Sequence, residues 1–149
     1  MSHVRQQIRE AVQAELIKQD VADGCVYTGW TIPLDSKLPA VTVYTNTESS
    51  SRDTSSALRR VIELEVHGFA EAVIDADGQS DVCDALDALA VAIEPHVTTA
   101  NLCTYGVLRT TLTTTNHELD GDGDTPRGHI AMVYEIEYRT AVDDPETTA

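Results

Sequence analysis

Apolar positions recur at two different periods along this 149-residue chain, and each change of period marks an element. Val4, Ile8, Ala11, Val12 and Leu16 return every three or four residues, with Arg5, Arg9, Glu10 and Lys18 off the stripe. That spacing predicts an amphipathic helix, capped by Ser2 and running to about Gln19. Gly24 closes the region. Cys25–Trp30 (CVYTGW) reads as a short strand, and Pro33 and Pro39 frame an irregular link before the alternating strand Ala40–Thr45 (AVTVYT). Asn46–Ser56 (NTESSSRDTSS) holds no apolar residue and reads as a mobile loop.

The period then drops to two. In Ala57–Phe69 (ALRRVIELEVHGF), Leu58, Arg60, Ile62, Leu64 and Val66 share one face, and Arg59, Val61, Glu63, Glu65 and His67 share the other. This is the signature of a half-buried strand. Asp75–Gly78 (DADG) predicts a turn, and Ser80 or Asp77 caps a second helix to about Glu94. Val82, Leu86, Leu89, Ala90 and Ile93 form its apolar stripe, Asp81 and Asp84 suit its N-terminal dipole, and Pro95 ends it. Tyr105–Thr115 reads as a Thr-rich strand, Asn116–Gly128 as a polar loop, and His129–Thr140 as a last alternating strand. Strands in runs, joined by loops rather than helices, predict an α+β fold. Its sheet is single and antiparallel or mixed, with four to five strands and both helices packed on it. Residues 1–141 form one domain, and residues 142–149 form a flexible acidic tail. The expected core is Ile8, Val12, Leu16, Val41, Val43, Ile62, Leu64, Leu86, Leu89, Ile93, Met132, Tyr134 and Ile136.

Composition narrows the function classes. Ten basic against 25 acidic residues leave a net charge of −15, the reverse of the basic stripe expected of a surface that grips nucleic-acid phosphates. No apolar run is long enough to span a membrane, and the first residues lack the apolar core of a secretory signal. Lys18 and Lys37 are the only lysines, so the positive charge is almost all arginine, which favours planar, two-pronged carboxylate contacts. Cys25, Cys83 and Cys103 are odd in number and widely spaced, which predicts reduced thiols, with Cys83 packed as a small hydrophobe.

No motif assembles an active site. The run Asp120, Asp122, Asp124 resembles the start of a calcium loop, but Thr125 stands where that loop needs Gly and Ala131 where it needs Glu. His117–Glu118 begins a zinc-protease HExxH, but Gly121 replaces its second His. There is no nucleophile elbow and no phosphate-cradling glycine loop. His67 and His129 read as separate strand-surface histidines, with a metal site joined by Glu65 or Glu135 as the rival. The expectation is therefore no catalysis, no cofactor and no metal.

What stands out is charge interleaved along the strands: Arg59, Arg60, Glu63, Glu65, Arg109, Glu135, Glu137 and Arg139. With an N-terminal VRQQIREAVQAEL helix, LPAVTVYTNTE, RRVIELEVHGFAE, DVCDALDALAVAIEP and a closing IAMVYEIEYRTA, the chain resembles the tail-terminator proteins of long-tailed bacteriophages, the minor-tail-protein-U-like family, from Val4 to about Ala141. Neck proteins that close the head or join it to the tail share parts of this layout. The resemblance implies a homo-oligomeric, usually hexameric, ring in the virion, at the head-proximal end of the tail, assembled in the host cytoplasm. Such a ring ends polymerisation of the tail tube protein and docks the head connector, while DNA passes through an acidic lumen without specific binding. Arg52, Arg59, Arg60, Glu63, Arg109, Asp120, Asp122, Asp124, Arg127 and Arg139 are the candidate contacts to neighbouring subunits or the tube. The alternatives are a neck protein and a small metal- or ligand-binding α+β domain.

Overall fold

The computed structural model describes residues 2–29, 38–71, 82–120 and 127–149. Two long helices, α1 (Val4–Lys18) and α2 (Val82–Ile93), and a single turn of helix, α3 (Thr99–Leu102), accompany six strands. These are β1 (Val26–Thr28), β2 (Ala40–Arg52), β3 (Ala57–Glu71), β4 (Val107–Asp120), β5 (Arg127–Ala141) and β6 (Asp144–Thr148). They form one sheet in the order β1-β2-β3-β5-β4, with β6 also on β5. The sheet is mixed because β1 runs parallel to β2, whereas every other pairing is antiparallel.

Alternation decides the layers. Even-numbered residues of β3 and β5 point to one face, where α1 lies over β1 and β2, and α2 lies over β3 and β5. All thirteen expected core residues are buried there, with Leu89 the most exposed at 6%. Removing such side chains from water drives the fold. Two glycines set the approach of α2. A Cβ on Gly68 would lie 3.0 Å from Ile130 Cγ2 and 3.1 Å from Leu89 Cδ1, and one on Gly128 only 2.8 Å from Leu86 Cδ1 and 2.9 Å from Val82 Cγ2. The helix therefore seats against bare backbone at both points.

Several elements differ from the sequence expectation. Residues 46–52, expected in a mobile loop, extend β2 along β3 as far as Arg52↔Leu58, past a register shift between Thr45 and Glu48. Their order comes from partners elsewhere in the chain: β3 supplies the ladder, and the Glu48 carboxylate is held by Arg5 and Arg60. Asn116–Asp120, expected in a loop, is the end of β4, pairing residue by residue with Ala131 down to Arg127. The expected loose tail forms β6, which pairs at Thr140↔Thr148 and Ala141↔Asp144. Every β6 side chain is exposed, so no apolar alternation marks it; pairing with β5 places it, together with the Gln7 side chain of α1, which donates to the Glu146 carbonyl at 3.3 Å. Helix α1 is capped by His3, whose Nδ1 accepts from the Arg5 amide at 3.1 Å, rather than by Ser2. Cys83 is exposed, not packed, because it lies off the stripe of Val82, Leu86, Leu89 and Ile93 that faces the sheet. The turn at Asp75–Gly78, the caps Asp77 and Ser80, the helix residue Asp81, and Trp30 and Pro33 lie outside the described residues.

Candidate functional site

The opposite face of the sheet carries the odd-numbered side chains of β3 and β5; neither long helix packs on it, although at its β2 side Thr42 is fully buried and donates to the Gly29 carbonyl at 2.6 Å. The β3–β5 register arranges these side chains in facing pairs: Phe69↔His129, His67↔Ala131, Glu65↔Val133, Glu63↔Glu135, Val61↔Glu137 and Arg59↔Arg139. The face is thus graded, from aromatic and imidazole rings through carboxylates to arginines. Antiparallel pairing makes the grading, because each strand's order of residues is matched by the reversed order of its partner.

At the arginine end the charges are interlocked. Arg59 lies 2.9 Å from Glu137 and 3.4 Å from Asp53, Arg139 lies 2.8 Å from Asp53, and Arg109 reaches Glu137 at 3.4 Å. Arg109 is 67% exposed, so its pair is screened and contributes little to the fold. In the middle, Glu63 and Glu135 oppose each other with no cation paired to either among the described residues. Like charges in that position are mutually unfavourable.

Arg60 lies on the other face. Its guanidinium sits 3.2 Å from Glu48 and donates through Nε to Thr140 Oγ1 at 2.9 Å, while Arg5 holds the same Glu48 oxygen at 2.6 Å. The Tyr138 hydroxyl donates to the other Glu48 oxygen, and burial together with that bond pushes the Tyr138 pKa well above its ordinary value. Arg60 and Glu48 are 14% and 12% exposed. This quartet fastens α1 and the β2 extension to the sheet and is not a contact surface. The remaining candidates are dispersed. Arg52 donates to the Ser55 carbonyl at 3.3 Å in the hairpin tip, Arg127 pairs with Glu71 at 3.5 Å, and Asp120 ends β4 opposite Arg127. Asp122 and Asp124 lie outside the described residues.

Sequence reasoning missed the imidazole end. His67 and His129, read as separate surface histidines, are in contact, with Nδ1 of His67 2.5 Å from Nε2 of His129. The Tyr44 hydroxyl and Glu65 Oε1 approach His67 Nε2 at 2.9 Å and 3.1 Å, and Phe69 stacks on His129 with ring centroids 4.6 Å apart. Burial first, and then the neighbouring His67, lower the pKa of His129, opposed by Glu118. Burial, assisted by Glu65, raises that of Tyr44. The signal was present as odd-numbered parity in both strands, but the pairing is diagonal and needs the register. Among the described residues no three His, Cys, Asp or Glu converge as a metal-binding group, and no helix is long and apolar enough to cross a membrane.

These features define an α+β protein of two layers, with helices on one face of a mixed sheet and a charge-graded opposite face that neither long helix covers. Neither a family model nor a curated protein sequence matches the chain. Among solved structures it is similar to a chain of the virion of a native gene transfer agent particle, at 12% identity over 87% of this chain and 97% of that one, with a TM-score of 0.48. A likeness of that depth fixes no function.

Proposed function

We propose that the protein is a structural virion component that assembles into a closed, usually hexameric, ring at the head-proximal end of a phage tail. The ring stops growth of the tail tube and presents its far side to the head connector. One observation carries the reading: the sheet face opposite the two long helices, graded from rings to carboxylates to arginines. A closed ring needs two different patches on each subunit, one for each neighbour, and a face whose two ends differ in chemistry supplies them. The unpaired Glu63 and Glu135 of one copy are complementary to Arg59, Arg109 and Arg139 of the next, and charge complementarity of this kind sets orientation. The resemblance of the strand and helix motifs to tail terminators points the same way. The net charge of −15 suits a lumen through which DNA slides without adhering.

Deletion of the protein from its particle is the direct test. Tails that overgrow are the expected result. Tails of uniform length left unjoined to heads indicate a neck protein instead, and uniform tails joined to heads overturn the virion role described here. Stoichiometric zinc or manganese in the purified protein favours the metal-binding alternative.

A further inference from the structure

We propose that His67 and His129 form a proton-operated clasp across the sheet face opposite the helices, closed while the two rings share a proton and forced open when each ring holds its own. The inference concerns the fold itself and does not depend on the ring reading.

The geometry is that of a hydrogen bond between two imidazoles. The nitrogens are 2.5 Å apart and the ring centroids 4.7 Å apart, with planes only 22° from parallel. That centroid separation matches the nitrogen gap plus the two ring radii, so the rings meet edge to edge. Neutral imidazole has one donor and one acceptor nitrogen, whereas imidazolium has two donors. One N–H fits in the gap; two cannot.

The surroundings dictate where protons go. From β3, Glu65 Oε1 approaches the outer nitrogen of His67 at 3.1 Å, and the Tyr44 hydroxyl on β2 approaches the same atom at 2.9 Å. From β4, Glu118 Oε2 lies 3.6 Å from the outer nitrogen of His129. A carboxylate only accepts, so both ends of the row Glu65–His67–His129–Glu118 favour an N–H pointing outward. With His67 donating to Glu65 and His129 donating to His67, a first added proton enters on His129 Nδ1 toward Glu118, and every polar atom of the row is satisfied. A second has no site except the gap itself. The remaining charged neighbours among the described residues are Arg127 on β5 and Glu71 on β3, which pair at 3.5 Å.

There is room for the released ring. His129 lines a shallow hollow of about 260 Å³ together with Phe69, Glu118, Leu119, Arg127 and Gly128. Opening the clasp removes one side-chain link between β3 and β5 and lifts His129 from its stack on Phe69, changing the aromatic end of the graded face, while the Arg59–Glu137 and Arg127–Glu71 pairs between the same strands stay in place.

The test is nitrogen-15 NMR of the histidines in the full chain, titrated from neutral to acid pH. The expected result is one far-downfield N–H proton coupled to a nitrogen of each histidine. Two protonation steps of the pair should be separated by more than about one pH unit, the mark of strongly interacting sites. In His67→Gln or His129→Gln the bridging proton disappears and the remaining histidine titrates in a single step, whereas His117→Gln changes neither feature. If a variant fails to fold, as judged by circular dichroism, the wild-type bridging resonance and two-step titration decide alone. Two independent titrations without a bridging proton, or a stoichiometric metal ion bound between the rings, overturn the clasp.

Discussion

Arg59 and Arg60 are neighbours in the chain with opposite fates. Arg59 is 45% exposed and bridges Asp53 and Glu137 on the graded face, whereas Arg60 is enclosed with Glu48 beneath α1. Changing Arg59 to Glu should alter the unfolding free energy by less than about 1 kcal/mol, as for other half-exposed pairs. Changing Arg60 to Glu sets a second carboxylate against Glu48 and should cost about 3–5 kcal/mol. Urea denaturation of the two variants separates these outcomes. The parity of β3 already put Arg60 on the face of Leu58 and Ile62. Its role was illegible because its partner Glu48 stood in a segment without apolar residues. His129 makes a second residue-level prediction. Its native pKa lies below its unfolded value, so the unfolded chain binds more protons as pH falls from about 6.5. The stabilising contribution of neutral His129 is complete above that pH and is lost below it. Wild-type protein should therefore lose more stability between neutral and mildly acid pH than His129→Gln, measured by the urea midpoint at each pH.

At the level of elements, periodicity located both long helices and the apolar parts of β2, β3 and β5, because burial against α1 and α2 imposes alternation on these strands. It failed where a strand is held by backbone pairing and polar contacts rather than by apolar burial. The extension of β2, the end of β4 and all of β6 present polar or exposed side chains on both faces, and their order resides in the partner strand. The seating of α2 tests this account. Leu64→Ala and Leu89→Ala should each cost about 2–5 kcal/mol through lost burial and a cavity. Gly128→Ala should cost about 1–3 kcal/mol for the opposite reason, since its methyl group meets Leu86 and Val82 at less than 3 Å. Thermal unfolding distinguishes the cavity from the clash in combination: Leu86→Ala should make Gly128→Ala less costly, and should do nothing for Leu64→Ala beyond additivity.

For the whole molecule, both long helices lie on one side of the sheet, and the charge-graded side carries the ion pairs of Arg59, Arg109 and Arg139. If copies associate through the graded face, replacing Arg59 and Arg139 together by Glu should abolish association while leaving the α1 quartet intact. Raising salt from about 0.1 to 1 M should weaken association in the wild type, because the pairs at the arginine end are partly exposed. Sedimentation or mass photometry reads both. The ladder between β3 and β5 has one more consequence. It runs without a register shift for the full 15 residues of each strand, in the middle of the sheet. Pulled along the strand direction, such a ladder must shear all its bonds together, whereas pulled sideways it unzips one bond at a time. The molecule is therefore mechanically anisotropic: stiff along β3 and β5, weak across them. A component mounted with those strands parallel to the load could transmit tension at the end of a long filament without yielding.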